Sequence, residues 1–171
     1  MKITYSLDEE AYLDFNVYHI KNSKTAKKSM TIQRFLGPIL FLMVPFIFAD
    51  LINVSLVGLF ITFVVISIFW VMVYPAYYLR LVRNGVRKMI KEGKNDGAFG
   101  EHTLFFNEEG IHETGPAGES KVFWHGIEGM GEDETNFYLY VSAVSAFIIP
   151  KRNLEDSQGI KRFLEEKIVS E

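Results

Sequence analysis

Apolar and polar residues change rhythm several times along this chain. From Ile3 to Leu7 they alternate, the period of a half-buried strand. From Tyr12 through Phe15, Val17 and Tyr18 to Ile20 they follow an approximately helical stripe. Ser6-Leu7-Asp8-Glu9 has the S-x-x-E spacing of a capping box, so the expected helix runs from about Asp8 to Lys28. From Phe35 to Leu79 the chain is almost continuously apolar, and Asp50 is its only charged residue.

That run is too long for one span, since a membrane helix needs ~20 apolar residues. It predicts a transmembrane hairpin turning around Ala49–Asn53. The first span starts between Thr31 and Phe35 and carries Pro38 and Pro45, which predict a bend. The second covers about Val54 to Tyr77, with Trp70, Tyr74, Tyr77 and Tyr78 as an interfacial aromatic belt. Ser55, Gly58 and Thr62 share one face of it and form an expected packing seam against the first span or a second copy of the chain.

Beyond Lys94 come short alternating runs broken by glycine turns. Strands are expected at 102–106, 111–114, 120–124, 127–132, 137–141 and 146–150, with Gly110 supplying a positive φ in the first hairpin. Asn153 or Ser157 would cap a last helix reaching Val169, burying Ile160, Phe163, Leu164 and Ile168. The expected architecture is a membrane α-helical hairpin plus an α+β domain. Its segments are an N-terminal strand and amphipathic helix (1–30), the hairpin (31–79), a basic juxtamembrane stretch (80–94) and the C-terminal domain (95–171).

Charge adds an orientation. Lys21, Lys24, Lys27, Lys28 and Arg34 precede the first span, and Arg80, Arg83, Arg87, Lys88, Lys91 and Lys94 follow the second. The turn between them has no base, so the positive-inside rule places both termini in the cytoplasm. From Asn95 onward fifteen acids face six bases, which argues against a nucleic-acid partner, because phosphate binding needs a basic footprint. There is no cysteine, which excludes disulfides, thiolate metal sites and a cysteine nucleophile. The opening Met1–Tyr5 leads into Asp8, Glu9 and Glu10, unlike a secretory signal. The first helix is expected to dock on the C-terminal domain or lead into the span, in preference to lying on the membrane surface.

Several motifs together resemble a known family. They are Tyr12-Leu13 in the first helix, two spans, His102-Thr103-Leu104, Glu109-Gly110-Ile111, Val122-Phe123-Trp124 with Ile127, Phe137–Tyr140, and Ala146–Arg152. Their order is similar to the YcxB-like family of small bacterial membrane proteins. The resemblance implies a bacterial plasma-membrane location. It also implies a cytosolic domain like bacterial pleckstrin-homology (PH) domains, a bent antiparallel barrel capped by a C-terminal helix. It implies no reaction.

Catalytic chemistry finds little support in the residues. Neighbouring strands could bring His102 and His112 within reach of one another, with Glu113 adjacent, but no recognised metal-ligand spacing links them or His125. No G-x-S-x-G elbow occurs, and Gly115-x-x-Gly118 lacks the lysine and helix of a phosphate loop. No catalytic residue, metal or cofactor is therefore assigned. The expected role is protein interaction beside the lipid bilayer, with Trp124, Tyr138 and Tyr140 as aromatic partner contacts and Lys151 and Arg152 as a small basic cluster. An immunity-type protein against a membrane-acting toxin is the alternative, followed by binding of a lipid headgroup or small ligand, and then by an enzyme.

Overall fold

The computed structural model describes residues 1–49, 54–92 and 99–169. The chain divides into two compact units, one of residues 1–19 with 85–171 and one of residues 20–84. The N-terminal segment is thus part of the C-terminal domain, and the apolar run is an insertion in it.

In the first unit, β1 (Lys2–Leu7) buries Ile3 and Tyr5, as its alternation predicts. It pairs antiparallel with β2 (Gly100–Phe106), with Thr4 opposite Thr103. β3 (Gly110–Gly115) and β4 (Gly118–Phe123) complete a four-stranded sheet in the order β1-β2-β3-β4. β5 (Gly129–Glu132), β6 (Asn136–Ser142) and β7 (Ser145–Pro150) form a second, three-stranded antiparallel sheet. Their inner faces meet in one core, where Leu104, Ile111, Phe137, Leu139 and Ile149 are sealed from solvent. Neither sheet closes on itself.

The first helix, α1 (Glu9–Asn22), covers the other face of the second sheet. Ala11 and Phe15 pack on Tyr138 and Ile148. Tyr18 stacks obliquely on Tyr138, ring centroids 4.8 Å apart. Gly131 makes this approach possible, because a Cβ there would lie 2.7 Å from the Tyr18 ring. The expected capping box does not form: Ser6 stays in β1, and Asp8 Oδ1 accepts the Ala11 N–H at 2.9 Å. The helix also ends earlier than its stripe predicts. Ser23 interrupts it and caps the next helix by accepting the Ala26 N–H.

Across one end of the two sheets lies α4 (Ser157–Val169), which inserts Ile160 and Leu164 beside Ile127 and sets Phe163 edge-on against Phe106 and Trp124. Asp156, rather than Asn153 or Ser157, caps it, taking the Gly159 N–H at 2.8 Å. The first β-hairpin also departs from expectation. Gly110 is not in the left-handed region; glycine is needed there because a Cβ would lie 2.7 Å from Phe123 Cα.

The second unit contains most of two long helices. α2 (Lys24–Phe48) has 25 residues and α3 (Leu56–Glu92) has 37. At 1.5 Å per residue these are ~37 and ~55 Å long, against a hydrocarbon core of ~30 Å. Both are long and apolar enough to cross a membrane, and only 6 % of the most apolar stretch of each is buried. The basic segment after Leu79 continues the same helix as far as Glu92. The turn expected around Asp50 and the flank residue Lys94 lie outside the described residues.

The seam between α2 and α3 is not the expected one. Ser55, Gly58 and Thr62 are exposed, and the Thr62 hydroxyl donates to its own helix at Gly58 O. The contact uses Gly37 against Trp70, with Phe41 edge-on to the same indole at 5.6 Å. Polar groups close it: Tyr74 OH donates to Gln33 Oε1 at 2.6 Å, and Arg34 Nε to Val71 O at 2.8 Å.

Candidate functional site

The residues expected to meet a partner are mostly committed to packing. Trp124 is not on a strand but in a 3-10 turn (Trp124–Gly126), 2 % exposed, and its Nε1 donates to Asn107 O at 2.9 Å. Tyr138 is fully buried between α1 and the core, its hydroxyl donating to Asp133 Oδ2 at 2.5 Å. These two therefore offer no surface to a partner. Tyr140 is half-buried against Phe15 and His19.

Lys151 and Arg152 are also engaged. The Lys151 ammonium bonds Glu132 at 2.7 Å and the carbonyl of Asp133, while Lys161 holds the other Glu132 oxygen at 2.5 Å. Hydrogen bonds from Lys151 and Lys161 hold the Glu132 carboxyl below its ordinary value. Arg152 reaches Asp8 at 2.6 Å, tying the start of α1 to the end of β7. The pair braces the acidic loop and α1 and does not form an anion-binding cluster.

Two other surfaces are free for function. The outer face of the four-stranded sheet exposes Phe105 and Phe123 at 40 % and 45 %. The ammonium groups of Lys2 and Lys121 sit 5.4 and 5.0 Å from those ring centroids, a cation–π arrangement. Alternation places these phenylalanines outside as Leu104, Phe106 and Val122 turn inward, so this signal was available in the sequence.

The second is a cleft of about 300 Å³ along the side of β7 that does not pair with β6. Tyr5, Glu113, Ser120 and Val122 form one wall, and Val141 with residues 145–148 the other. Glu113 and Ser120 face each other across β3 and β4. Glu113 Oε1 bonds His102 Nδ1 at 2.9 Å, while among the described residues Oε2 has only the Ser120 hydroxyl at 3.4 Å. His102 is buried, stacked on Tyr5 at 5.7 Å, and its Nε2 has no hydrogen-bond partner among the described residues. Burial, with the Glu113 charge added, pushes the Tyr5 hydroxyl well above its ordinary value, so it is neutral. His102 meets Glu113 and not the expected His112, which contacts Glu119 at 3.3 Å on the opposite face. Among the described residues no cluster of three potential metal ligands occurs.

A family model described as YcxB-like protein matches residues 106–166. That stretch is YcxB-like. It runs from the last residue of β2 into α4, and so contains β3 to β7, the cleft-forming Glu113 and Ser120, and the α4 core residues Ile160 and Leu164. β1, α1 and the two apolar helices lie outside it. No curated protein and no solved structure matches the chain.

Proposed function

We propose that this chain is a bacterial plasma-membrane protein that presents a PH-like interaction domain to the cytosol on a two-helix anchor. The observation that carries this reading is the β1–β2 ladder. β1 precedes both apolar helices and β2 follows them, yet they pair residue for residue. If α2 and α3 cross a membrane, the chain must return to its starting side, which requires an even number of crossings. The basic residues at both ends of the apolar run put that side in the cytoplasm. Four antiparallel strands, then three, then a helix across one end support the PH-like reading.

The role is binding rather than catalysis. Phe105 and Phe123, flanked by Lys2 and Lys121, take the place of Trp124 and Tyr138 as the aromatic contacts for a protein partner. Since the chain has no cysteine, single cysteines report topology cleanly. With an impermeant maleimide on intact cells, Asp50→Cys should react, whereas Thr4→Cys and Glu128→Cys should react only after lysis. Labelling of positions 4 and 128 from opposite sides would refute the anchor. For the partner face, Phe105→Ser with Phe123→Ser should remove specific cross-links at unchanged melting temperature; an unchanged pattern would count against that face.

A further inference from the structure

The cleft beside β7 has a composition that selects a ligand. Its walls are chiefly apolar, supplied by Leu7, Val122, Val141, Phe147 and Ile148. Glu113 sits among them on the inward side of β3, with its side chain 21 % exposed. A carboxylate turned toward a core is costly unless its oxygens are satisfied. Here only Oε1 is well bonded, to His102. Oε2 retains acceptor capacity beside the one long Ser120 contact found among the described residues, and no described lysine or arginine lines the cleft.

The carboxylate is held rigidly. His102 is clamped between the Tyr5 ring and Gly115, where any Cβ would lie 2.6 Å from Nδ1. His102 is therefore a positioning residue for Glu113. A fixed negative charge at the end of an apolar cleft repels anions and attracts a hydrogen-bond-donating cation. The volume, about 300 Å³, is at the small end for ligand sites.

We propose that this cleft binds a small organic cation, a primary ammonium group on a compact apolar body, with the ammonium on Glu113 Oε2. Apolar contact with Val122, Val141 and Phe147 holds the body, and Ser120 and the Tyr5 hydroxyl border the head. This goes beyond the membrane-anchored interaction role and stands independently of which side of the membrane the domain occupies.

The test is calorimetric titration of the full chain in phosphatidylcholine nanodiscs, with empty nanodiscs subtracted. Three probes share one aromatic body: tryptamine, neutral tryptophol and anionic 3-indolepropionate. Tryptamine should bind about tenfold or more tighter than tryptophol, the worth of one charge-assisted hydrogen bond, and 3-indolepropionate should not bind. Glu113→Gln should reduce the tryptamine preference to about one. Ser120→Lys, at an exposed strand position, supplies its own ammonium to Glu113 and should abolish tryptamine binding without lowering the melting temperature. Equal binding of the three probes, no binding of any, or a preference surviving in folded Ser120→Lys would overturn the proposal.

Discussion

Leu139 and Ile149 are completely buried, whereas Phe69 and Met72, no less apolar, are 67 % and 72 % exposed. The first pair belongs to the two-sheet unit and the second to α3. In the sheet unit apolar side chains are withdrawn from the surroundings and most polar partners sit at the rim. In the helical unit the arrangement is reversed: large apolar side chains face outward, and polar groups such as Gln33, Tyr74 and Ser67 face the seam or bond their own helix. One chain thus carries two solvent preferences, and the unit suited to water is completed only when the chain returns from the other.

The contrast makes the N-terminal residues the most sensitive part of the sheet unit. Deleting residues 1–22 removes an edge strand and the cover over Tyr138, a loss comparable with the ~5–15 kcal/mol that stabilises a whole domain. Residues 99–169 should then become protease-sensitive, while α2 and α3 stay helical and membrane-extractable only with detergent. Next in size is Phe15→Ala, expected to cost ~3–5 kcal/mol in chemical denaturation followed by Trp124 fluorescence. A value near zero would mean that α1 merely rests on the sheet.

Within the helical unit two glycines should respond in opposite directions. Gly37→Ala places a Cβ 2.7 Å from Trp70 Nε1 and should lower the melting temperature in detergent, through ~1–3 kcal/mol of overpacking. Gly58→Ala meets nothing closer than 3.9 Å and gains up to ~1 kcal/mol in helix propensity. Equal effects would mean that the seam is placed wrongly.

The smallest effect concerns acid. Burial raises the Asp133 carboxyl, but hydrogen bonds from Tyr138, Thr135 and Asn136 outweigh it and hold the group below its ordinary 3.8. A depressed folded value contributes stability above the unfolded pKa, and that stability is lost as pH falls through the folded one. Denaturation midpoints should therefore drop on acidification below about pH 4, and less steeply in Asp133→Asn.

Most local elements were legible in the sequence: the apolar helices, the seven strands by alternation and glycine turns, and α4 by its stripe. What escaped was set by distant contacts. The alternation of Ile3 and Tyr5 reveals a strand but not its partner about a hundred residues away. Asn136–Leu139 are buried consecutively, because α1 covers one face of β6 and the core the other, so alternation could not separate core from contact. That is why Tyr138 read as a candidate surface aromatic. The cleft was only partly legible: the strands carrying His102 and Glu113 were placed side by side, but His112 was expected to be the partner of His102, and Ser120 and the β7 wall come from tertiary packing.

The central claim is that β1 completes the domain across the apolar insertion. Thr4 and Thr103 pair in register, their hydroxyl oxygens 3.1 Å apart. In the cysteine-free chain, Thr4→Cys with Thr103→Cys should form an intramolecular disulfide in native membranes under mild oxidation. Thr4→Cys with Thr114→Cys, one strand further away, should not. Efficient bridging of the first pair alone is the predicted result. Failure to bridge, or equal bridging of both pairs, would contradict the account.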